Sequence, residues 1–487
     1  GEDNGRAWTQ VSDVEGYVAF AVPPGRYVMT IELEEFKAVK KPLTILAGSA
    51  NAKPRHVYLR PQGLAHTVVK GRAAEAKSAS QVVLQDAELR EVPGTFGDPT
   101  LVVATLPGVA RTPFGTGEYA VRGSSPHNTG FFIDDHPAPF LYHFLGGPGV
   151  IHPQLVGDLS FYPGGYPARY GRVAGGAIAL HTKDPPSDRW HAQVQSDRSV
   201  ISALASVPFD DQRGLVAASF RRSLYETMLW LLAPGLDYET TDYQLRARYA
   251  FTPALRLQFT AMGAEDAFAY DPNVPPPDFL KPWYEDQERL FESQGGDPTA
   301  KMKGHAGFHR AVLRLEADLS KRVTWTNSLA FQWDHTDMSG PVTPPVSIDF
   351  EREGWFLNLK SWAEWRAADT AAVEVGIDAL YGEEHALQRL PAEAPLGQPA
   401  PPLADKERVG ARTDTAMISF APWVSIVWEP TPGLRIMPGA RLSIESFGAD
   451  ARVSVDPKLA VRWAIDEMWT IKAMGALAHQ WPQPGEI

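Results

Sequence analysis

Pro107-Gly108-Val109, Arg122-Gly123, Asp134-Asp135, Gly164-Gly165, Tyr170-Gly171 and Gly175-Gly176 arrive in this order between residues 93 and 183, separated by short apolar runs. Taken singly, a glycine pair marks only a turn or bulge that needs positive φ or close backbone approach. In series the pairs delimit elements. Tyr119 to Arg122 runs into a turn, Phe131-Phe132-Ile133 reads as a buried strand ending in acid, and Ala177 to Thr182 reads as another strand. Thr100 to Leu106 reads as a short helical element before Pro107. The stretch therefore predicts a small, glycine-punctuated mixed α/β domain.

After Pro185-Pro186 the pattern changes to long alternating strands. In Val323 to Asp334, Val323, Trp325, Leu329, Phe331 and Trp333 share one face, and Thr324, Thr326, Ser328, Gln332 and Asp334 take the other. Leu434 to Glu445 repeats the arrangement, with Arg435, Arg441, Ser443 and Glu445 on the polar side. Period-two alternation over ten or more residues suits tilted strands that cross a membrane. On that reading cysteines at Thr326, Ser328 and Gln332 meet water, and those at Trp325, Leu329 and Phe331 do not. Connections also alternate: short at 208–212, 252–254, 321–322, 368–370, 430–433 and 466–468, long at 225–241, 267–308, 337–352 and 385–414, with only 448–453 brief on that second side. That asymmetry is expected of outer-membrane barrels. About thirteen strands follow Trp190, an odd number where single-chain bacterial barrels close with even counts, so the reading expects further strands beyond Ile487.

Composition narrows the function. A net charge of −12 without any Lys/Arg run argues against a nucleic-acid partner. No run of eighteen apolar residues occurs among 42 prolines and 41 glycines, which excludes a helical membrane span but not a barrel. With no cysteine there is neither a disulfide frame nor a thiolate site. His127, His136, His143 and His152 accompany Asp134 and Asp135, yet no H-E-x-x-H spacing places two histidines on one helix face. Gly146-Gly147-Pro148-Gly149 lacks the Lys and Ser/Thr of a phosphate-binding loop, and no G-x-S-x-G elbow is present. Neither a catalytic constellation, a metal centre nor a cofactor is expected.

The order of the glycine motifs resembles the plug domain of TonB-dependent outer-membrane receptors. Upstream, Asp13-Val14-Glu15-Gly16-Tyr17 and Val22-Pro23-Pro24-Gly25-Arg26-Tyr27 lie among strand-like runs and resemble the carboxypeptidase-regulatory-like module, a non-catalytic β-sandwich. The expected fold is mainly β: a small β-sandwich over 1–62, missing its beginning; a linker over 63–80; a mixed α/β plug over 81–186; and an antiparallel transmembrane β-barrel over 187–487, with about 13 of 22 strands.

The resemblance implies a gated transporter of a Gram-negative outer membrane, not an enzyme, with the N-terminal domain in the periplasm. Its partners would be TonB with the inner-membrane energising complex, outer-membrane lipid and an unidentified ligand. The alternative is a surface adhesion or assembly protein of the same architecture. Thr67, Val68 and Val69 are the candidate TonB-binding segment, captured by strand addition; the competing reading makes them an ordinary first strand. Arg122, Gly123, Asp134, Gly164, Gly165, Tyr170, Gly171, Gly175 and Gly176 carry the plug motif. Asp134-Asp135-His136 departs from it, since Asp-Gly is commoner there. Phe114, Phe140, Tyr142, His143 and Phe144 are candidates for a ligand-facing plug apex, or else for packing against the inner barrel wall.

Overall fold

The computed structural model describes residues 8–10, 20, 22–31, 39–45, 81–85, 89, 98–111, 119–144, 147–196, 200–225, 229, 233–293, 299–343, 346–391, 408–448, 450–466 and 468–480. The chain divides into two compact units, 1–75 and 76–487. In the first, β1 (Gly25–Ile31) pairs antiparallel with β2 (Val39–Ile45), and Trp8 meets the Tyr27 ring edge-on at 5.7 Å. The remainder of the expected sandwich and the linker, with Thr67, Val68 and Val69, lie outside the described residues.

The second unit begins with the predicted mixed domain. Its main sheet has the order β3 (Val82–Gln85), β8 (Val156–Tyr162), β9 (Ala177–Thr182), β6 (Gly130–Ile133), β7 (His136–Ala138), and β4 (Val109–Arg111) pairs separately with β5 (Tyr119–Val121). Only β6 and β9 run parallel. The expected helical element is a 3-10 turn, Pro99–Thr105, whose start is capped by Asp98 accepting from Thr100 N. The four residues of β6 are all buried, because barrel wall covers one side of the sheet and plug core the other.

Thirteen antiparallel strands then follow in strict sequence order: β10 (His191–Ser196), β11 (Val200–Phe209), β12 (Gly214–Ser223), β13 (Leu236–Thr252), β14 (Leu255–Tyr270), β15 (Met302–Ser320), β16 (Val323–Thr343), β17 (Val346–Ala368), β18 (Ala371–Pro391), β19 (Arg408–Thr431), β20 (Leu434–Phe447), β21 (Asp450–Ala464) and β22 (Thr470–Ala476). The six short turns fall where the sequence placed them. The expected long loop at 337–352 does not exist: β16 pairs with β17 from Val323↔Trp365 up to Thr343↔Val346. Strands β15 to β19 are 19 to 24 residues long, about twice the length of β11 and β12. Toward the β16–β17 turn the apolar face thins out, and the alternation that signals a strand weakens. The 271–301 connection carries one helix, α1 (Lys281–Ser293), and no described helix is long and apolar enough to cross a membrane.

Alternation orients the wall as the sequence implied. Trp325, Leu329 and Phe331 point outward, 39–45% exposed, and Thr326, Ser328 and Gln332 point inward. The inward set does not meet water, however. Ser328 is fully buried and Gln332 nearly so, because the plug occupies the interior. In protein reconstituted into lipid, cysteines at Trp325, Leu329 and Phe331 should therefore resist a charged thiol reagent. Those at Ser328 and Gln332 should also resist it, until urea unfolds the plug. Rapid labelling of Ser328→Cys in the native state would contradict a docked plug.

Candidate functional site

The plug meets the wall along a seam of buried charges, and its central piece is the two-residue turn between β6 and β7. Ile133 pairs with His136, leaving Asp134 and Asp135 at φ +48° and +73°. Positive φ at both central positions is the hairpin geometry that matches strand twist, and glycine adopts it most easily. Both positions are nevertheless acidic, and each carboxylate is used. Asp134 accepts from Thr182 N at 2.8 Å and Thr182 Oγ1 at 2.6 Å, tying the turn to β9.

Asp135 reaches the wall. Its carboxylate accepts from Arg314 of β15 at 2.5 Å, from Arg169 at 3.4 Å and from Tyr170 Oη at 3.2 Å, and His181 Nε2 stands 3.7 Å away. Its carbonyl accepts from Lys360 Nζ of β17 at 2.6 Å. Burial works to raise the Asp135 carboxyl, but the facing His181 and the Arg314 and Arg169 guanidiniums hold it well below the usual carboxylate range. His181 responds in the opposite sense. Burial would lower it, and Asp135 and Asp158 bring it up to about 9. Arg169 extends the network by a bidentate pair to Glu374 of β18. Beside them His136 spans Asn358 and Ser328 with its two ring nitrogens, at 2.8 and 2.7 Å. Burial first and then the Lys360 ammonium push it down to about 3, so it is neutral.

A second node lies on Asp378 of β18, which accepts from Arg172 of the plug at 3.0 Å and Arg441 of β20 at 2.8 Å. Gly171 explains the close approach. A Cβ there would stand 2.7 Å from Arg441 Cζ, so only glycine lets the guanidinium pass over the plug backbone. The third node is His143, fully buried between Asp266 of β14 at 3.1 Å and Asp242 of β13 at 3.3 Å, with Arg221 of β12 also on Asp242. Burial alone would lower His143; the two carboxylates raise it to about 9, so it is a cation clamped by the wall.

The sequence-predicted residues divide accordingly. Tyr170 and Gly171 belong to the seam. Asp134 with Arg122 and Gly123, both at positive φ, shapes the turns behind it. Gly164 and Gly165 face Met474 of β22, and Gly175 and Gly176 let the chain pass against Asn128 and Val121. Of the expected apex residues, Phe140 packs edge-on against Phe308 of β15 and tilts against Phe144, Tyr142 Oη donates to Thr100 O, and His143 is clamped. Phe140 and His143 touch wall residues and the Phe144 carbonyl accepts from Tyr238 of β13, whereas Tyr142 bonds within the plug; Phe114 lies outside the described residues. Sequence reasoning passed over Arg169, Arg172, Arg314, Lys360, Glu374 and Asp378. The available signal was a full charge on the polar phase of an alternating strand, as at Arg441.

The sequence matches no protein-family model and no curated protein. Solved structures do match. The ferric yersiniabactin uptake receptor FyuA from Yersinia pestis superposes with a TM-score of 0.59 at 14% identity, over 81% of this chain and 64% of that one. The copper transporter OprC gives 0.58 at 13%, over 83% and 63%. FpvA of P. aeruginosa, bound to a heterologous pyoverdine with iron, gives 0.56 at 13%, over 82% and 56%. The fold is that of TonB-dependent receptors. The chain spans less than two thirds of the length of each of these three structures. Plug and wall in this receptor fold thus meet through three ionic nodes set among apolar contacts, such as Phe140 on Phe308 and Ala168 beside Trp362 and Trp423.

Proposed function

We propose that this chain belongs to a TonB-dependent outer-membrane receptor that imports a ligand past a movable plug. The observation that carries the reading is the chemistry of the seam. An apolar interface would lose about 25 cal/mol for each Å² wetted as the plug moved. Buried ion pairs gain little net stability over water, since desolvation offsets their attraction, and they fix register instead. A seam of Asp135, Arg169, Arg172 and His143 against Arg314, Glu374, Asp378, Asp242 and Asp266 is therefore specific when dry and exchangeable once water enters.

In this reading residues 1–62 form a regulatory-like periplasmic module and 63–80 the leader carrying the TonB-binding segment, with plug and barrel as described. TonB pairs with Thr67, Val68 and Val69 as an added strand, where main-chain hydrogen bonds supply affinity. Ligand binds between the plug and the connections beyond the long strand ends. Phe140, Tyr142, His143 and Phe144, set where that plug surface meets the wall, pass the bound state to the His143 clamp.

A photo-crosslinking side chain at Val68 tests the coupling. In cells that make TonB it should give a TonB adduct whose yield changes when the inner-membrane proton gradient is collapsed. Absence of any adduct, with the protein folded in the outer membrane, would remove this segment from the coupling role.

A further inference from the structure

We propose that the outward face of the barrel carries a binding site for a borderline divalent transition cation of the zinc class, formed by Glu265, His305 and His335. The three come from neighbouring strands β14, β15 and β16, and one ligand atom from each lies within 4.8 Å of the others. Glu265 Oε2 is 2.9 Å from His305 Nε2 and 3.0 Å from His335 Nε2. His309 positions the carboxylate: its Nε2 holds Oε1 at 2.7 Å, its Nδ1 is bonded to Tyr243 Oη at 2.8 Å, and its ring stacks on Trp333 at 5.0 Å.

Two glycines build the cradle. In the ladder Glu265 stands opposite Gly307, and Gly307 opposite His335, so the acid and the imidazole are separated by one strand position. They meet because that position is empty. A Cβ on Gly307 would overlap Glu265 Oε2 and stand 2.7 Å from His335 Cε1. One row down the arrangement repeats, with Gly263 opposite both Tyr243 and His309, and its Cβ would stand 2.6 Å from the Tyr243 ring. Glycine inside a strand weakens it and marks a close approach, and here both approaches assemble the same cluster. Further carboxylates stand in register, Asp337 opposite His305 and Glu353 opposite His335, and they favour a cation.

The donor set indicates the class of metal. Two imidazoles and a carboxylate, without thiolate, suit zinc and its divalent neighbours rather than calcium or magnesium, which prefer all-oxygen shells. Three protein ligands leave a fourth position for water, and His305, half exposed, leaves the site open to solvent. Lone-sequence spacing could not show this. His305, His309 and His335 share a face only through the i, i+4 spacing of one strand and the register of the next.

The test is a calorimetric titration of the purified full chain in detergent with Zn²⁺ alone, with Mg²⁺ as the hard-ion control. One Zn²⁺ per chain is expected, with a change in tryptophan emission from Trp333 and no response to Mg²⁺. His335→Gln and Gly307→Val should each weaken binding by at least about tenfold, and His191→Gln, on β10 at the far side of the sheet, should not. Folding of each variant is checked by heat-modifiable electrophoretic mobility, and if Gly307→Val fails to fold, His335→Gln decides. No stoichiometric uptake, or equal affinity in parent and His335→Gln, would overturn the assignment and leave a hydrogen-bonded histidine cluster.

Discussion

Replacing Asp135 with alanine is expected to loosen the plug from the wall and lower stability by about 3–5 kcal/mol, the usual consequence of removing one partner from a buried ionic cluster. The size comes from what is left behind. Arg314, Arg169 and His181 would remain buried around a missing charge, while the positive-φ strain that the parent aspartate already carries would stay unchanged. Asp135→Gly separates the two contributions, because glycine relieves about 1 kcal/mol of backbone strain while the charge is still lost. The order of stability should be parent, then glycine, then alanine, in thermal unfolding and in resistance of the plug to trypsin. If the glycine variant matched or exceeded the parent, the carboxylate would not be holding the seam.

The second large effect is a pH dependence of plug docking. His143 is raised from about 6.5 to about 9 by Asp242 and Asp266, with Arg221 and Tyr238 also facing that pair. A histidine whose folded value is raised contributes stability that is complete below the unfolded value and is lost as pH rises through the folded one. The clamp is thus fully present below about pH 6.5 and lost by about pH 9, a change on the order of 3 kcal/mol. His181 titrates in the same window inside the plug. His136, buried neutral, acts oppositely and subtracts stability as pH falls below about 6.5. Docking should therefore be strongest near pH 6.5. His143→Gln should flatten part of the loss between pH 6.5 and 9, and the remainder belongs to His181. An unchanged pH profile of plug unfolding in His143→Gln would show that the clamp does not contribute.

Much of the architecture was legible because a single rule, alternation on a half-buried strand, repeats along the chain. Trp325, Leu329 and Phe331 take the outer face whatever fills the interior, so the thirteen strands and their short turns could be read from residue order. The same rule fell silent toward the far ends of the long strands. From His335 to Thr343 only Met338 and Val342 remain of the apolar pattern, and pairing between β16 and β17 makes the stretch a ladder.

Sequence alone determined the mainly β class, the glycine-bounded plug strands and the strand phase of the wall. Tertiary structure decided the pairing of charges. Arg441 and Asp378, or Glu265 and His335, lie tens of residues apart and meet through register and through an empty position at Gly171 or Gly307. The physical reason is one of range. Alternation and turn chemistry act between neighbouring residues and leave a local trace, whereas a buried ion pair depends on which strands the register of the sheet brings over the plug.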